Sequence, residues 1–156
     1  KLAAENYLRV YSELHGLEGT ILRLFSPYGP GGGRIDAWVR QIESEEEIEL
    51  PGEGHHQREY TFVDDVLSGM EASLDHAEPF SFYNLGSGSV ISDKTLVSLI
   101  EKETGKKSNI RFRAPYSHEV EFVSGAIGKV QTNLGYEPRV SLEEGIRQVI
   151  SGRGSE

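Results

Sequence analysis

The chain has 156 residues, the size of one ordinary domain, so a multi-domain enzyme would have to be completed from outside this sequence. Sixteen Lys plus Arg against 25 Asp plus Glu give a formal charge of −9, which repels phosphate backbones and anionic headgroups and disfavours nucleic acid or a membrane surface as partner. At 37% apolar and 26% charged residues the composition excludes a disordered chain and predicts a folded core.

Cysteine is absent, which removes disulfides, thiolate nucleophiles and Cys-ligated metal centres and is compatible with a cytoplasmic home. No stretch approaches the roughly 18 to 20 consecutive apolar residues of a membrane span, and no charged-then-apolar leader is visible, so neither anchoring nor export is expected. The only methionine is Met70, and Lys1 already lies inside a helical pattern, as though a segment upstream were missing or removed.

Between Lys1 and Leu14, the residues Ala3, Tyr7, Val10 and Leu14, flanked by Ala4, Leu8 and Tyr11, recur at steps of three and four. They predict a helix with a broad apolar face, stopped at His15-Gly16. Thr20 to Phe25 is a β-prone run and reads as a strand, followed by the loop Ser26 to Gly33 (SPYGPGGG). A weaker helix from about Ile35 to Glu45 buries Ala37, Trp38 and Ile42, and the five glutamates between Glu43 and Glu49 read as solvated. Ile48 and Leu50 alternate with charge as in an edge strand, Gly52 to His56 reads as an exposed loop, and Tyr60 to Val63 is again strand-like.

Asp64 is placed to cap a helix whose buried side carries Val66, Leu67, Met70 and Leu74. Phe80 to Leu85 is a second clear strand, closed by Gly86-Ser87-Gly88. Ser92 opens a helix through Leu96, Val97 and Ile100, which Gly105 stops before the strand Ile110 to Arg113. Residues 115–128 show no legible pattern. Ser141 and Glu144 form an S-x-x-E capping box for a last helix striped by Leu142, Ile146, Val149 and Ile150, with a fraying tail from Ser151. Helices and strands alternate without internal repeats, so the fold class is α/β or α+β.

Neither glycine loop suits a dinucleotide pyrophosphate. Gly86-Ser87-Gly88 lacks the third glycine of G-x-G-x-x-G, and Gly31-Gly32-Gly33 follows Pro30 rather than opening a β-α-β unit. No metal site is expected, because His55 and His56 are adjacent in a glycine loop and His15, His76 and His118 are far apart. Arg58 stands out: it follows a glycine-rich loop and precedes aromatic strand residues, a placement that could present a guanidinium rigidly to a diphosphate. The alternative is a surface salt bridge with Glu59 or Asp64.

Five ordered segments resemble the extended short-chain dehydrogenase/reductase family, the NAD-dependent sugar-nucleotide epimerases and dehydratases, over almost the whole chain. Lys1-x-Ala3-Ala4-Glu5 with Tyr11 and Gly16-Leu17 looks like the helix of the Tyr-x-x-x-Lys motif, with Lys1 as its lysine. Leu22 to Gly31 is similar to the family's "LR-x-FN-x-YGPG", and Gly52 to Val66 to its "GDG-x-Q-x-RDF-x-x-VDDV". Phe82 to Gly88, and Leu134 to Pro138 with the helix after Ser141, complete the order.

The resemblance implies the C-terminal part of such an enzyme, with residues 1–33 as the last Rossmann helix, strand and loop and residues 34–156 as a small mixed α/β substrate-binding domain, together one compact unit. It implies NAD or NADP bound mainly by an N-terminal Rossmann half, a nucleotide-sugar (UDP-sugar) substrate, and catalytic help from Lys1, which would also hold the nicotinamide ribose; its tyrosine partner would lie four positions earlier. Pro27 would lie near the nicotinamide, Ser26 stands where the family has a substrate-contacting asparagine, and Arg58 matches the diphosphate arginine. Glu119 occupies the family's acidic position, Tyr116 replaces a second diphosphate arginine, for which Arg113 is the possible substitute, and Ala126 replaces an acidic residue. Two further readings stay open: a non-catalytic sugar-nucleotide-binding module, and a dimerisation module pairing through residues 1–15, whose apolar face otherwise packs on the chain's own sheet.

Overall fold

The computed structural model describes residues 1–76 and 80–152. In chain order the elements are α1 (Leu2–His15), β1 (Gly19–Leu24), β2 (Pro27–Tyr28), α2 (Gly33–Glu43), β3 (Glu47–Pro51), β4 (Gln57–Glu59), β5 (Thr61–Phe62) and α3 (Val63–Leu74). After them come β6 (Phe80–Leu85), β7 (Val90–Ser92), α4 (Asp93–Thr104), β8 (Asn109–Arg113), β9 (Phe122–Val123), α5 (Gly128–Leu134) and α6 (Leu142–Gly152). Strand pairing is mostly parallel: β1 with β6, β2 with β5, and β3 with β8. In a small mixed sheet β4 lies between antiparallel β7 and parallel β9. The fold is a mixed α/β one.

Local rules act where they were expected. Gly16 and Gly105 end α1 and α4 in the left-handed conformation, at φ 66° and 69°, each returning its N–H to the preceding turn at 2.9 Å. Ser92 caps α4 by accepting the Thr95 N–H at 3.1 Å. The Ser141 hydroxyl accepts the Glu144 N–H at 3.2 Å, but the Glu144 carboxylate turns to Arg147 at 2.9 Å, so only the first half of the capping box forms. Ser151 and Gly152 belong to α6; the rest of the tail expected to fray lies outside the described residues.

Two apolar cores result. The larger gathers Ile35, Trp38, Val39 and Ile42 of α2, Ile48 and Leu50 of β3, Leu96, Val97 and Ile100 of α4, and Ile146 and Val149 of α6. The smaller joins Val66 of α3, Tyr83 and Leu85 of β6, Val130 of α5 and Tyr136, with Leu22 of β1 against it. The chain therefore visits the smaller core at β1, leaves it for α2 and β3, returns at α3 and β6, leaves again through α4, and comes back at α5.

Several expectations are corrected. The apolar face of α1 does not pack on the chain's own sheet: no residue of α1 is buried, and Leu2, Tyr7 and Leu14 are each at least 70% exposed. The helix is tied to β1 through Glu5, which accepts from Arg23 Nε at 3.0 Å. Asp64 is not a cap, because β5 runs directly into α3 with Phe62 as the flanking residue, leaving Asp64 and Asp65 in the first turn. Of the predicted stripe on α3 only Val66 is buried; Leu67, Met70 and Leu74 are exposed. The buried line runs instead through Asp65, Val66 and Gly69, since Leu85 fills the space a Cβ on Gly69 would need, 2.3 Å away. His56 is buried rather than exposed, because the start of α4 closes over its loop: the Asp93 N–H donates to the His56 carbonyl at 2.9 Å and the Lys94 N–H to that of Gly54 at 3.0 Å.

Candidate substrate-binding site

Successive side chains of an extended strand point to opposite faces, and β4 with its flanks divides its chemistry accordingly. Gln57, Glu59 and Thr61 share one face; His56, Arg58 and Tyr60 share the other. Glu59 is fully buried, and its carboxylate accepts from the Gly88 N–H (2.8 Å), the Ser124 hydroxyl (2.8 Å) and the Gly125 N–H (3.0 Å). Glu59 therefore fastens β4 to the loops after β6 and β9, and it is not a partner of Arg58. Among the described residues no carboxylate forms an ion pair with Arg58, so the salt bridge weighed from the sequence does not form. Its Nη2 reaches the Val120 carbonyl at 3.5 Å, while its buried Nε has no hydrogen-bond partner.

Ser26 and Pro27 are held against the same stretch of chain. Ser26 adopts φ 37°, an uncommon left-handed value for a non-glycine residue, and its carbonyl accepts the Thr61 N–H at 3.4 Å. The Thr61 hydroxyl donates to the Phe25 carbonyl at 2.9 Å, and Pro27 pairs with Thr61 across β2 and β5. Ser26 and Pro27 thus lie beside β5, which follows the Arg58 strand β4 after one residue. Lys1 is exposed at the start of α1, whose first-turn Glu5 accepts from Arg23 at 3.0 Å, three residues before Ser26.

Arg113 and Glu119, expected as separate substrate contacts, are paired with each other. Arg113 Nη1 donates to Glu119 at 2.8 Å, Nη2 donates to the other carboxylate oxygen, and the guanidinium lies 4.2 Å over the Tyr116 ring. Tyr116 in turn stacks on His118, with ring centroids 5.6 Å apart. The Arg113 fork is therefore already engaged, and the clamp braces the segment whose Val120 carbonyl meets Arg58.

Hydrogen bonding from Arg113 is the main cause that holds the Glu119 carboxyl at about 2 instead of an ordinary 4.5, assisted by the Tyr116 N–H and opposed by desolvation. A carboxylate with a lowered folded-state value contributes stability above its unfolded value, and that contribution is lost as pH falls through the folded one. Glu119→Gln is accordingly expected to be less stable than the unaltered chain at pH 7. The deficit should shrink between pH 4.5 and pH 2 and vanish below, as read by urea denaturation across that range. A deficit unchanged at pH 2 would assign the effect to packing.

Sequence reasoning missed three buried polar groups behind Arg58. Asp93 is fully buried and accepts from Arg34 Nη1 at both carboxylate oxygens, 3.1 and 3.3 Å. His56 Nδ1 and the Tyr60 hydroxyl are buried without hydrogen-bond partners. Burial is the main reason that Tyr60 is pushed up to about 12, with Arg34 pulling it back. No hydropathy alternation marks 56, 58 and 60, because the intervening Gln57, Glu59 and Thr61 are polar as well, and nothing in the sequence marked Asp93 beyond its place after a helix cap.

The model of the NAD dependent epimerase/dehydratase family matches residues 1–86. The chain is 30% identical over 155 residues to a UDP-glucuronate 4-epimerase of Thermodesulfobacterium geofontis, covering 97% of this chain and 48% of that protein. It is 30% identical to a dTDP-4-dehydro-6-deoxyglucose reductase of Escherichia coli, covering 96% of this chain and 49% of the relative. Among solved structures, the UDP-glucose 4-epimerase of Thermotoga maritima with UDP-glucose superposes with a TM-score of 0.91 at 28% identity, covering 99% of this chain and 52% of the other. The UDP-glucuronic acid 4-epimerase of Bacillus cereus in complex with UDP-glucuronic acid and NAD gives 0.91 at 26%, covering 100% and 52%. The chain spans about half the length of the curated relatives it matches. The family model covers more than half of the chain, including α1, β1 with its SPYGPG loop and the Arg58 segment, and the chain belongs to the NAD-dependent epimerase/dehydratase family.

Proposed function

We propose that the chain is the substrate-holding part of a nucleotide-sugar epimerase or dehydratase that works with NAD or NADP, completed by a Rossmann half that carries the dinucleotide fingerprint. One observation carries this reading: in a chain of net charge −9, the Arg58 guanidinium is mounted on a paired strand and, among the described residues, forms no ion pair or hydrogen bond with a carboxylate. A planar fork so presented suits a diphosphate, which it can grip through two parallel hydrogen bonds. Ser26, held against Thr61 of the next strand, would offer its hydroxyl to the sugar.

The donor set fits one end of the dinucleotide only. Gly86-Ser87-Gly88 cannot cradle the pyrophosphate, because the Gly88 N–H is engaged by Glu59 and the Glu59 carboxylate fills the space beside Gly86. Lys1 and Pro27 are exposed and would hold the nicotinamide ribose and the face of the nicotinamide ring. Bound there, the nicotinamide supplies a reversible hydride acceptor. The contribution of this chain is to bind and orient the substrate through Arg58 and Ser26.

Titrating UDP and UDP-glucose calorimetrically into the chain tests the reading. Binding is expected, and Arg58→Ala should weaken it roughly 10- to 100-fold, the worth of a charge-assisted hydrogen bond. No heat from either protein would overturn the proposal.

A further inference from the structure

Arg58 presents a physical problem that its own contacts do not solve. A guanidinium with a buried, unbonded Nε and a single 3.5 Å contact to a carbonyl should be free to swing, and burying part of a charge without a counter-charge is costly. The compensation lies across the sheet.

In the antiparallel register of β4 and β7, Gln57 faces Ser92, Arg58 faces Ile91 and Glu59 faces Val90. The pairing continues one step further, where the Asp93 N–H donates to the His56 carbonyl at 2.9 Å. Asp93 is therefore directly opposite His56 and diagonal to Arg58, on the face shared by His56, Arg58 and Tyr60. Diagonal neighbours in such a pair are roughly 7–8 Å apart, within reach of a long side chain.

The Asp93 carboxylate is fully buried. Its hydrogen-bond partner, Arg34, uses a single nitrogen for both oxygens and lies 5.4 Å over the Trp38 ring, which leaves acceptor capacity toward the strand. Burial pushes the Asp93 carboxyl up, while Arg34, then Arg58, then His56 pull it down, so both guanidinium groups lie close enough to sense its charge. At the low dielectric of a buried site one carboxylate can hold two guanidinium groups of which it hydrogen-bonds only one.

We propose that Asp93 is a positioning residue: from the end of β7 it acts through Arg58, holding that guanidinium in the orientation in which it meets a nucleoside diphosphate. This rests on the assignment of Arg58 as the diphosphate ligand. Asp93 touches no substrate; its buried charge, anchored by Arg34, restrains the arginine.

A double-mutant cycle reads this directly, because a residue that works through Arg58 loses its effect when Arg58 is gone. UDP is titrated into the unaltered chain, Asp93→Asn, Arg58→Ala and the double variant. Asp93→Asn should weaken UDP binding about tenfold in the presence of Arg58 and less than about twofold in the Arg58→Ala background. Equal losses in both backgrounds would make Asp93 a fold residue and overturn the inference. An unchanged affinity for Asp93→Asn, with Arg58→Ala still weakened, would overturn it while leaving the diphosphate reading intact. Absence of UDP binding by the unaltered chain would instead remove the diphosphate reading itself. Should Asp93→Asn not fold, the Arg58 Nε–H resonance of the unaltered chain decides: it is expected to be ordered and slow to exchange before UDP is added, and a mobile, fast-exchanging signal would overturn the inference.

Discussion

Replacing Glu59 by alanine is expected to cost about 3–5 kcal/mol of unfolding free energy, a large share of the 5–15 kcal/mol typical of a domain. Three donors converge on this fully buried carboxylate, two of them backbone N–H groups of Gly88 and Gly125 that would lose their acceptor. Each orphaned donor costs about 1–3 kcal/mol. Glu59→Gln should be less severe, by roughly half, because one oxygen remains to accept while the new amide group faces a donor. Gly86→Ala should reproduce part of the loss from the other side, since its Cβ would sit 1.9 Å from a Glu59 oxygen. Urea denaturation of the three variants measures all of this; Glu59→Ala within about 1 kcal/mol of the unaltered chain would mean that the anchor is dispensable.

The second large effect lies in the main core. Ile42→Ala should destabilise by about 2–5 kcal/mol, the lost transfer energy of the side chain plus the cavity it leaves. Ile42 is completely buried among α2, β3, α4 and α6, all of which would border the void. Leu14→Ala makes the same kind of deletion on α1 and is expected to change stability by less than about 0.5 kcal/mol, because Leu14 is 72% exposed. Chemical denaturation of the two variants side by side is the check, and comparable losses would mean that the α1 face is covered in solution.

That contrast shows what the sequence could reveal. Periodicity reports that a face is apolar, not that something covers it, so α1 and the Leu67, Met70 and Leu74 side of α3 looked like core and are exposed. Caps were legible at Gly16, Ser92 and Gly105 because a cap is decided within four or five residues. The strands β2, β4, β5, β7 and β9, two or three residues each, are too short to carry a period and are fixed by partners distant in sequence. At the site, Arg58 stood out because its neighbours are local. The Arg34–Asp93 pair, 59 positions apart, depends on tertiary placement that no local pattern encodes, and the 113–119 clamp, though local, lies in a stretch without any periodicity to announce it.

The interleaving of the two cores has a consequence for how the molecule is assembled. β1 meets β6 across 61 positions, as in the Thr20–Ser81 contact, and β3 meets β8 across 62, as in Arg111–Glu49. Each pairing must close a long loop before any ladder bond rewards it, and each doubling of loop length adds only about 0.6 kcal/mol, so it is the closure event rather than loop size that taxes the search. The six helices can flicker into shape within microseconds, yet both cores gather residues from either side of these pairings and close only when the distant strands meet. Refolding should therefore proceed as one late, concerted step, with neither core surviving as a separate intermediate.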